Sequence, residues 1–207
     1  MTLLALLDYT AVLVFALTGA LVASRAQLDI VGFAFMAALT GVGGGTVRDV
    51  LLDRNPIFWI EEPAYLAVTS AAALLVFITA HLLESRYTVI LWLDALALGV
   101  AVSAGTGVAL AMGQPSMIVV LMGMVTGCMG GMMRDVVCNE VPLVLKQGEL
   151  YVSCAFMGAA AGVIAELLDF PNPIVLASAA AVTIILRAGS LAFGWRLPIY
   201  KHEPPKT

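Results

Sequence analysis

An eleven-residue segment, Thr40-Gly41-Val42-Gly43-Gly44-Gly45-Thr46-Val47-Arg48-Asp49-Val50, returns as Thr126-Gly127-Cys128-Met129-Gly130-Gly131-Met132-Met133-Arg134-Asp135-Val136, with seven of the eleven positions identical. The register holds on both sides of the motif. Asp8 matches Asp94, Gly19 matches Gly105, Met36 matches Met122, Pro56 matches Pro142 and Tyr65 matches Tyr151, a constant offset of 86 residues (94 minus 8). The chain is therefore a duplicated unit, and each copy places glycines and an Arg-Asp pair inside apolar sequence.

The solvent for this fold is lipid. Of the 207 residues 61% are hydrophobic and 12% charged, and the mean hydropathy is +1.01, well outside the balance of soluble domains. Stretches without charge run over 9–24, 30–47, 63–80, 95–133, 150–165 and 170–186, and a spanning helix needs about 20 mostly apolar residues. The fourth stretch is long enough for two spans, with Gly113-Gln114-Pro115-Ser116 as the turn between them. Seven helices are expected. A β-barrel would require alternating polar and apolar residues, and runs such as Ala71-Ala72-Ala73-Leu74-Leu75-Val76-Phe77 do not alternate. The beginning of the chain lacks a basic segment and a cleavage site ahead of Asp8, so it reads as the first span.

Three spans per unit is an odd number, so the second unit must enter the membrane upside down relative to the first. The expected architecture is an all-α membrane protein in a single membrane domain. Residues 8–80 form the first three-helix repeat, 94–166 an inverted second repeat, 170–195 a seventh span, and 196–207 a tail. Positive residues are retained on the cytoplasmic side. Arg25, Arg86 and Lys146 follow spans one, three and five, and Arg196, Lys201 and Lys206 follow span seven, whereas the other side offers Arg54 alone outside the apolar runs. The N-terminus is thus expected outside and the C-terminus in the cytoplasm. The net charge of -4 contains no basic cluster that would suggest nucleic acid.

In transporters built from inverted repeats, the functional site lies near the midplane where broken helices of the two halves meet. Gly43, Gly44 and Gly45, and again Gly130 and Gly131, lower the cost of unwinding a helix, which lipid tolerates only where backbone lines water or is covered by protein. A kink or break is expected in spans two and five, smaller in span five because Met129 replaces the third glycine. Thr40 and Thr126 repeat one turn before the glycines; together with Thr46 and the glycine carbonyls they are the expected lining of a pore or substrate path. Close packing by small residues is the alternative.

Arg48, Asp49, Arg134 and Asp135 are costly inside a bilayer. Adjacent residues on a helix point about 100° apart, so the arginines are expected to pair across helices, with Asp8 and Asp94 as matched candidates beside Asp49 and Asp135. Arg187 is unrepeated and either snorkels to the interface or adds positive potential inside the bundle. Three cysteines without a CxxC pair, and histidines only at positions 81 and 202, give no metal site. No nucleophile stands beside a base, so neither an enzyme nor a cofactor is expected.

Three-span inverted repeats, each with Gly-Gly-x-x-Arg-Asp (Gly44 to Asp49, Gly130 to Asp135), followed by a seventh span, resemble the prokaryotic members of the trimeric intracellular cation (TRIC) channel family and related bacterial membrane proteins. The resemblance covers the chain from about Asp8 to Trp195. It implies a homotrimer in a bacterial or archaeal cell membrane, embedded in lipid. Each protomer would enclose its own pore, bordered by kinked spans two and five and passing monovalent cations, chiefly potassium held only in transit. A secondary transporter for a small zwitterion such as glycine is the second reading, since related proteins with this repeat carry that label. A purely structural membrane protein would leave the repeated charges without a purpose.

Overall fold

The computed structural model describes residues 2–82, 86–146 and 148–198, so positions 199–207 of the expected tail lie outside the described residues. Eight α-helices follow one another: α1 (Leu3–Arg25), α2 (Ile30–Leu51), α3 (Phe58–Glu61), α4 (Ala64–Thr79), α5 (Arg86–Ala111), α6 (Ser116–Val137), α7 (Tyr151–Leu167) and α8 (Asn172–Phe193). Single 3-10 turns at Ala80–Leu82 and Leu143–Leu145 complete the described secondary structure, which contains no strand. Six helices are long and apolar enough to cross a membrane, and α7 is a shorter apolar one. Together they are the seven spans, with α3 a four-residue turn lying before α4.

Local chemistry sets the ends of these helices. Thr2 and Asp29 cap α1 and α2 by accepting from the N–H groups of Ala5 (3.2 Å) and Gly32 (2.8 Å). Five helices end in the same left-handed turn, with positive φ at Gln27, Asp53, Gly113, Asn139 and Asp169. In each, the next N–H reaches back to a carbonyl in the last turn, as Arg54 does to Asp49 (2.8 Å) and Glu140 to Asp135 (2.8 Å). The matched turns at Asp53 and Asn139 place both Arg-Asp pairs in the final turn of their helices.

α1 and α5, the first helices of the two repeats, pack against each other at the centre of the bundle. α2 and α4 flank α1, α6 and α7 flank α5, and α8 closes the side formed by α5 and α7. Because α1 begins on one face and each later span reverses direction, the motif of α2 ends on the face where the chain starts, and the motif of α6 ends on the opposite face. The repeats are inverted, as the odd number of spans requires.

The expected break at the glycines does not occur: α2 and α6 are continuous helices through Gly43–Gly45 and Gly130–Gly131. The physical reason is that these glycines serve contact between helices. A methyl group at Gly44 would run into the Thr126 carbonyl, and one at Gly130 into the Thr40 carbonyl. The two helices therefore cross with backbone against backbone at a pseudo-symmetric point, the small-residue packing that lipid favours. With the helices intact, the glycine carbonyls stay within the helical ladder and offer no free lining.

Substitution should separate these roles. Gly44→Ala and Gly130→Ala are each expected to lower stability by about 1–3 kcal/mol, the usual cost of overpacking. Gly43→Ala should be tolerated, because the nearest atom is the Met133 sulfur at the end of a flexible side chain. Thermal unfolding in detergent measures all three, and equal melting temperatures would refute the crossing-point role.

Candidate functional site: two buried arginine clusters

Arg48 is fully buried near the end of α2. Its Nη1 lies 3.1 Å from Asp8 Oδ1 on α1, and its Nε donates to Asp49 Oδ1 at 2.8 Å. The second oxygen of Asp49 accepts the Phe58 N–H at 2.9 Å, so the same carboxylate orients the guanidinium and pins the start of α3. Arg54 adds a second positive charge, 3.7 Å from Asp49 and 3.7 Å from Glu61.

The second repeat rebuilds this arrangement on the opposite face. Arg134 donates through Nε to Asp135 (2.8 Å) and through Nη1 to Asp94 on α5 (2.8 Å). Asp135 Oδ2 accepts the Leu143 N–H at 3.0 Å. Arg134 Nη1 also donates to Thr18 Oγ1 on α1 (2.9 Å). Position 104, which matches Thr18, is alanine, and Arg48 keeps Nη2 without a partner.

Each arginine thus joins its own helix neighbour and the first helix of its repeat. Pairing with the adjacent aspartate departs from the expectation from helix geometry; the long arginine side chain folds back around the helix surface to reach it. Arg187 does not snorkel. It is fully buried on α8, paired with Glu149 at 2.6 Å and set over the Tyr151 ring at 5.2 Å.

The hydroxyls are turned inward on their own helices. Thr40 donates to Met36 O and Thr126 to Met122 O, both at 2.7 Å, and each is wedged against a matched glycine, Gly19 or Gly105. Thr46 donates to Val42 O (2.7 Å) and accepts from Trp59 Nε1 (2.9 Å), tying α2 to α3. Gly45 faces the Phe58 ring, while Gly131 faces Tyr151 Oη and Asp94.

On the face where the chain starts, a cavity of about 590 Å³ is lined by Asp8, Arg54, Phe58, Glu61, Glu62 and Tyr65, among others. Below it a void of about 10 Å³ touches Asp8, Phe15, Gly44, Gly45, Phe58 and Thr126. On the opposite face another void of about 10 Å³ lies among Arg25, Tyr87, Arg134, Asp135, Glu140 and Lys146. The cavity and the void below it share Asp8 and Phe58, while the void beside Arg134 shares no lining residue with either; each of the two small voids holds about one water.

The family model described as glycine transporter matches the chain twice, over residues 5–81 and 91–166. A crystal structure of the TRIC trimeric intracellular cation channel orthologue from Rhodobacter sphaeroides is 41% identical, with a TM-score of 0.91, covering 94% of this chain and all of that one. The protein belongs to the TRIC family. A further solved TRIC cation channel is 28% identical with a TM-score of 0.87, over 98% of this chain and 100% of that chain. The UPF0126 inner membrane protein YadS of Escherichia coli is 32% identical over 200 residues, covering 94% of each chain. This TRIC family member is an integral membrane protein.

Several residues of these clusters carried no functional assignment from sequence: Arg54, Phe58, Glu149 and Tyr151. Tyr65 and Tyr151 were visible as a matched pair at the repeat offset, which is the one signal that marked them. Glu149 has Pro63 as its match, so repetition could not reveal it.

Removing one partner of a buried ion pair leaves an unpaired charge in low dielectric and costs about 3–5 kcal/mol. Arg48→Ala and Arg134→Ala are expected to lose stability on that scale: the second leaves Asp94 and Asp135 without their guanidinium, and the first leaves Asp8 without its own while Asp49 keeps Arg54. Chemical or thermal unfolding in detergent reads the loss, and wild-type stability in either variant would contradict the pairing.

Proposed function

We propose that this protein is a channel for monovalent cations, chiefly potassium, with a path inside each protomer and three protomers per assembly. The observation that carries the reading is the cavity opening onto Asp8. Asp8, Glu61 and Glu62 line it against the single guanidinium of Arg54, so its field concentrates cations. Its resemblance to cation channels over nearly the full chain supports the same reading.

The path runs from this acidic vestibule past Asp8 and along α1, α2, α5 and α6 to the Asp94–Arg134–Asp135 cluster, leaving between Arg25, Tyr87 and Lys146. Arg48 and Arg134 do not repel cations, because each lies between two carboxylates. On this reading the gate lies where α2 and α6 touch, and opening widens the void beside Gly44 and Thr126, whose small volume supports that position. The arginine and lysine distribution orients the vestibule outward and the C-terminal end of α8 toward the cytoplasm.

A second reading, import of a small zwitterion such as glycine, is favoured by the description of the matching family model. The vestibule also joins acidic residues to Arg54, an arrangement that suits an ammonium and a carboxylate. A transporter of this kind could hold the carboxylate at the N-terminus of a broken helix, but α2 and α6 run unbroken through their glycines.

Recording from purified protein in a planar bilayer under a KCl gradient separates the two. Discrete current steps reversing near the potassium equilibrium potential are expected. Asp8→Asn should lower the current severalfold at low salt and much less at high salt, since screening replaces the lost field. A silent bilayer, with the same preparation accumulating glycine in liposomes, would overturn the channel in favour of the transporter.

A further inference from the structure

The cavity over Asp8 carries more negative charge than its arginines balance. Arg48 is shared by Asp8 and Asp49, and Arg54 lies 3.7 Å from both Asp49 and Glu61. Glu62 makes no ion pair among the described residues, and its side-chain neighbour is the Tyr9 hydroxyl. Four carboxylates thus stand against two guanidinium groups, which leaves two negative charges in excess. They lie at different depths. Asp8, whose side chain is 13% exposed, also borders the small void below and forms the floor, whereas Glu62 is exposed at the mouth. Among the described residues no three acidic, histidine or cysteine side chains converge as a metal site would need, so a single coordinated metal ion does not meet the excess.

The floor presents hydrogen-bonding groups without partners. Asp8 gives Oδ1 to Arg48, and no hydrogen bond occupies its Oδ2. Tyr65 is 4% exposed and lines the cavity, and its hydroxyl makes no hydrogen bond among the described residues yet is not sealed off from solvent. The ring faces nearby are taken. Tyr65 stacks on Tyr9 with centroids 4.0 Å apart, and Phe58 meets Tyr65 edge-on at 4.8 Å and carries Arg48 5.4 Å from its own centroid. A quaternary ammonium, which is held by ring faces, finds no cage here. A primary ammonium has three N–H donors, enough for the Asp8 oxygen, the Tyr65 hydroxyl and a water. Above this floor the wall is apolar: Leu4 and Ala5 lie one turn nearer the start of α1 than Asp8, and Val108 and Met112 face them from the end of α5.

We propose that the cavity is a binding site for a linear aliphatic diamine. One ammonium sits on the floor against Asp8 Oδ2 and Tyr65 Oη, the methylene chain lies along the apolar wall, and the second ammonium meets Glu62 at the mouth. The volume of about 590 Å³ is that of a small-molecule pocket. The second repeat offers no equivalent, since Gln147 and Gly148 stand at the positions matching Glu61 and Glu62. A diamine bound here plugs the entrance of the cation path; that consequence rests on the channel reading, but the binding does not.

Thermal unfolding in detergent at constant ionic strength tests the binding without any current. Saturating putrescine is expected to raise the melting temperature by about 2–4 °C, as a ligand bound only to the folded state does. Butylamine, with one ammonium, should need a severalfold higher concentration for the same rise, the scale of one exposed ion pair. Glu62→Gln should remove that preference, while Asp169→Asn, exposed at the turn after α7, should keep it. Tyr65→Phe keeps the ring and should require severalfold more of either amine. In planar bilayers, putrescine in both chambers should suppress the wild-type potassium current at concentrations that leave Glu62→Gln conducting. No rise with putrescine, equal potency of the two amines in the wild type, or a preference that survives Glu62→Gln would overturn the site. A current untouched by saturating putrescine would overturn the plug. A putrescine-dependent melting temperature in a protein that passes no current would sink the channel reading and leave the site standing.

Discussion

A guanidinium held in a lipid-solvated bundle has to be surrounded by carboxylates, and the rest of this structure is arranged around that requirement. Each arginine sits in the last turn of a span, where its own neighbour and an aspartate of the repeat's first helix both reach it. The neighbouring aspartate then spends its second oxygen on a loop N–H, that of Phe58 or Leu143. One charge thereby fixes the spacing of two helices and the path of the chain beyond the second. Such pairs are poor sources of stability compared with apolar packing, but they are unforgiving once built, which gives each repeat a defined geometry.

Close approach of α2 and α6 is the second constraint, and it follows from the first. If the arginine clusters anchor α2 to α1 and α6 to α5, and α1 packs on α5, the two motif helices are brought across each other at the centre. Glycines at 44 and 130 let their backbones meet there, each lying on the other helix's threonine carbonyl. Thr40 and Thr126 are buried by the same crossing. Their hydroxyls donate to Met36 O and Met122 O on their own helices.

The pseudo-symmetry is one of backbone more than of chemistry. Tyr9, Thr18, Arg54 and Phe58 are matched by Ala95, Ala104, Glu140 and Val144. The first repeat thus opens its charge cluster to a broad acidic cavity, and the second seals its own beneath Tyr151 and the Arg187–Glu149 pair. Duplication supplied two equivalent frames, and substitution at a few contacting positions left one cluster open to a cavity and the other buried.

The sequence by itself determined the solvent, the number of spans and the inversion, because apolar length, repeat offset and parity need no knowledge of contacts. It also marked Asp8 and Asp94 as the acids matched to Arg48 and Arg134, since a charge inside lipid must have a partner and repetition names the same one twice. What the glycines do was decided only by tertiary structure: an identical run lowers the cost of breaking a helix and permits two helices to touch, and the neighbour at Thr126 or Thr40 selects the second. The pairing of Arg48 with its own neighbour and the joining of Arg187 to Glu149 were likewise illegible in the chain. Each depends on which side chains arrive from helices distant in sequence, and in a low dielectric that arrangement sets where charge is balanced and where it is not.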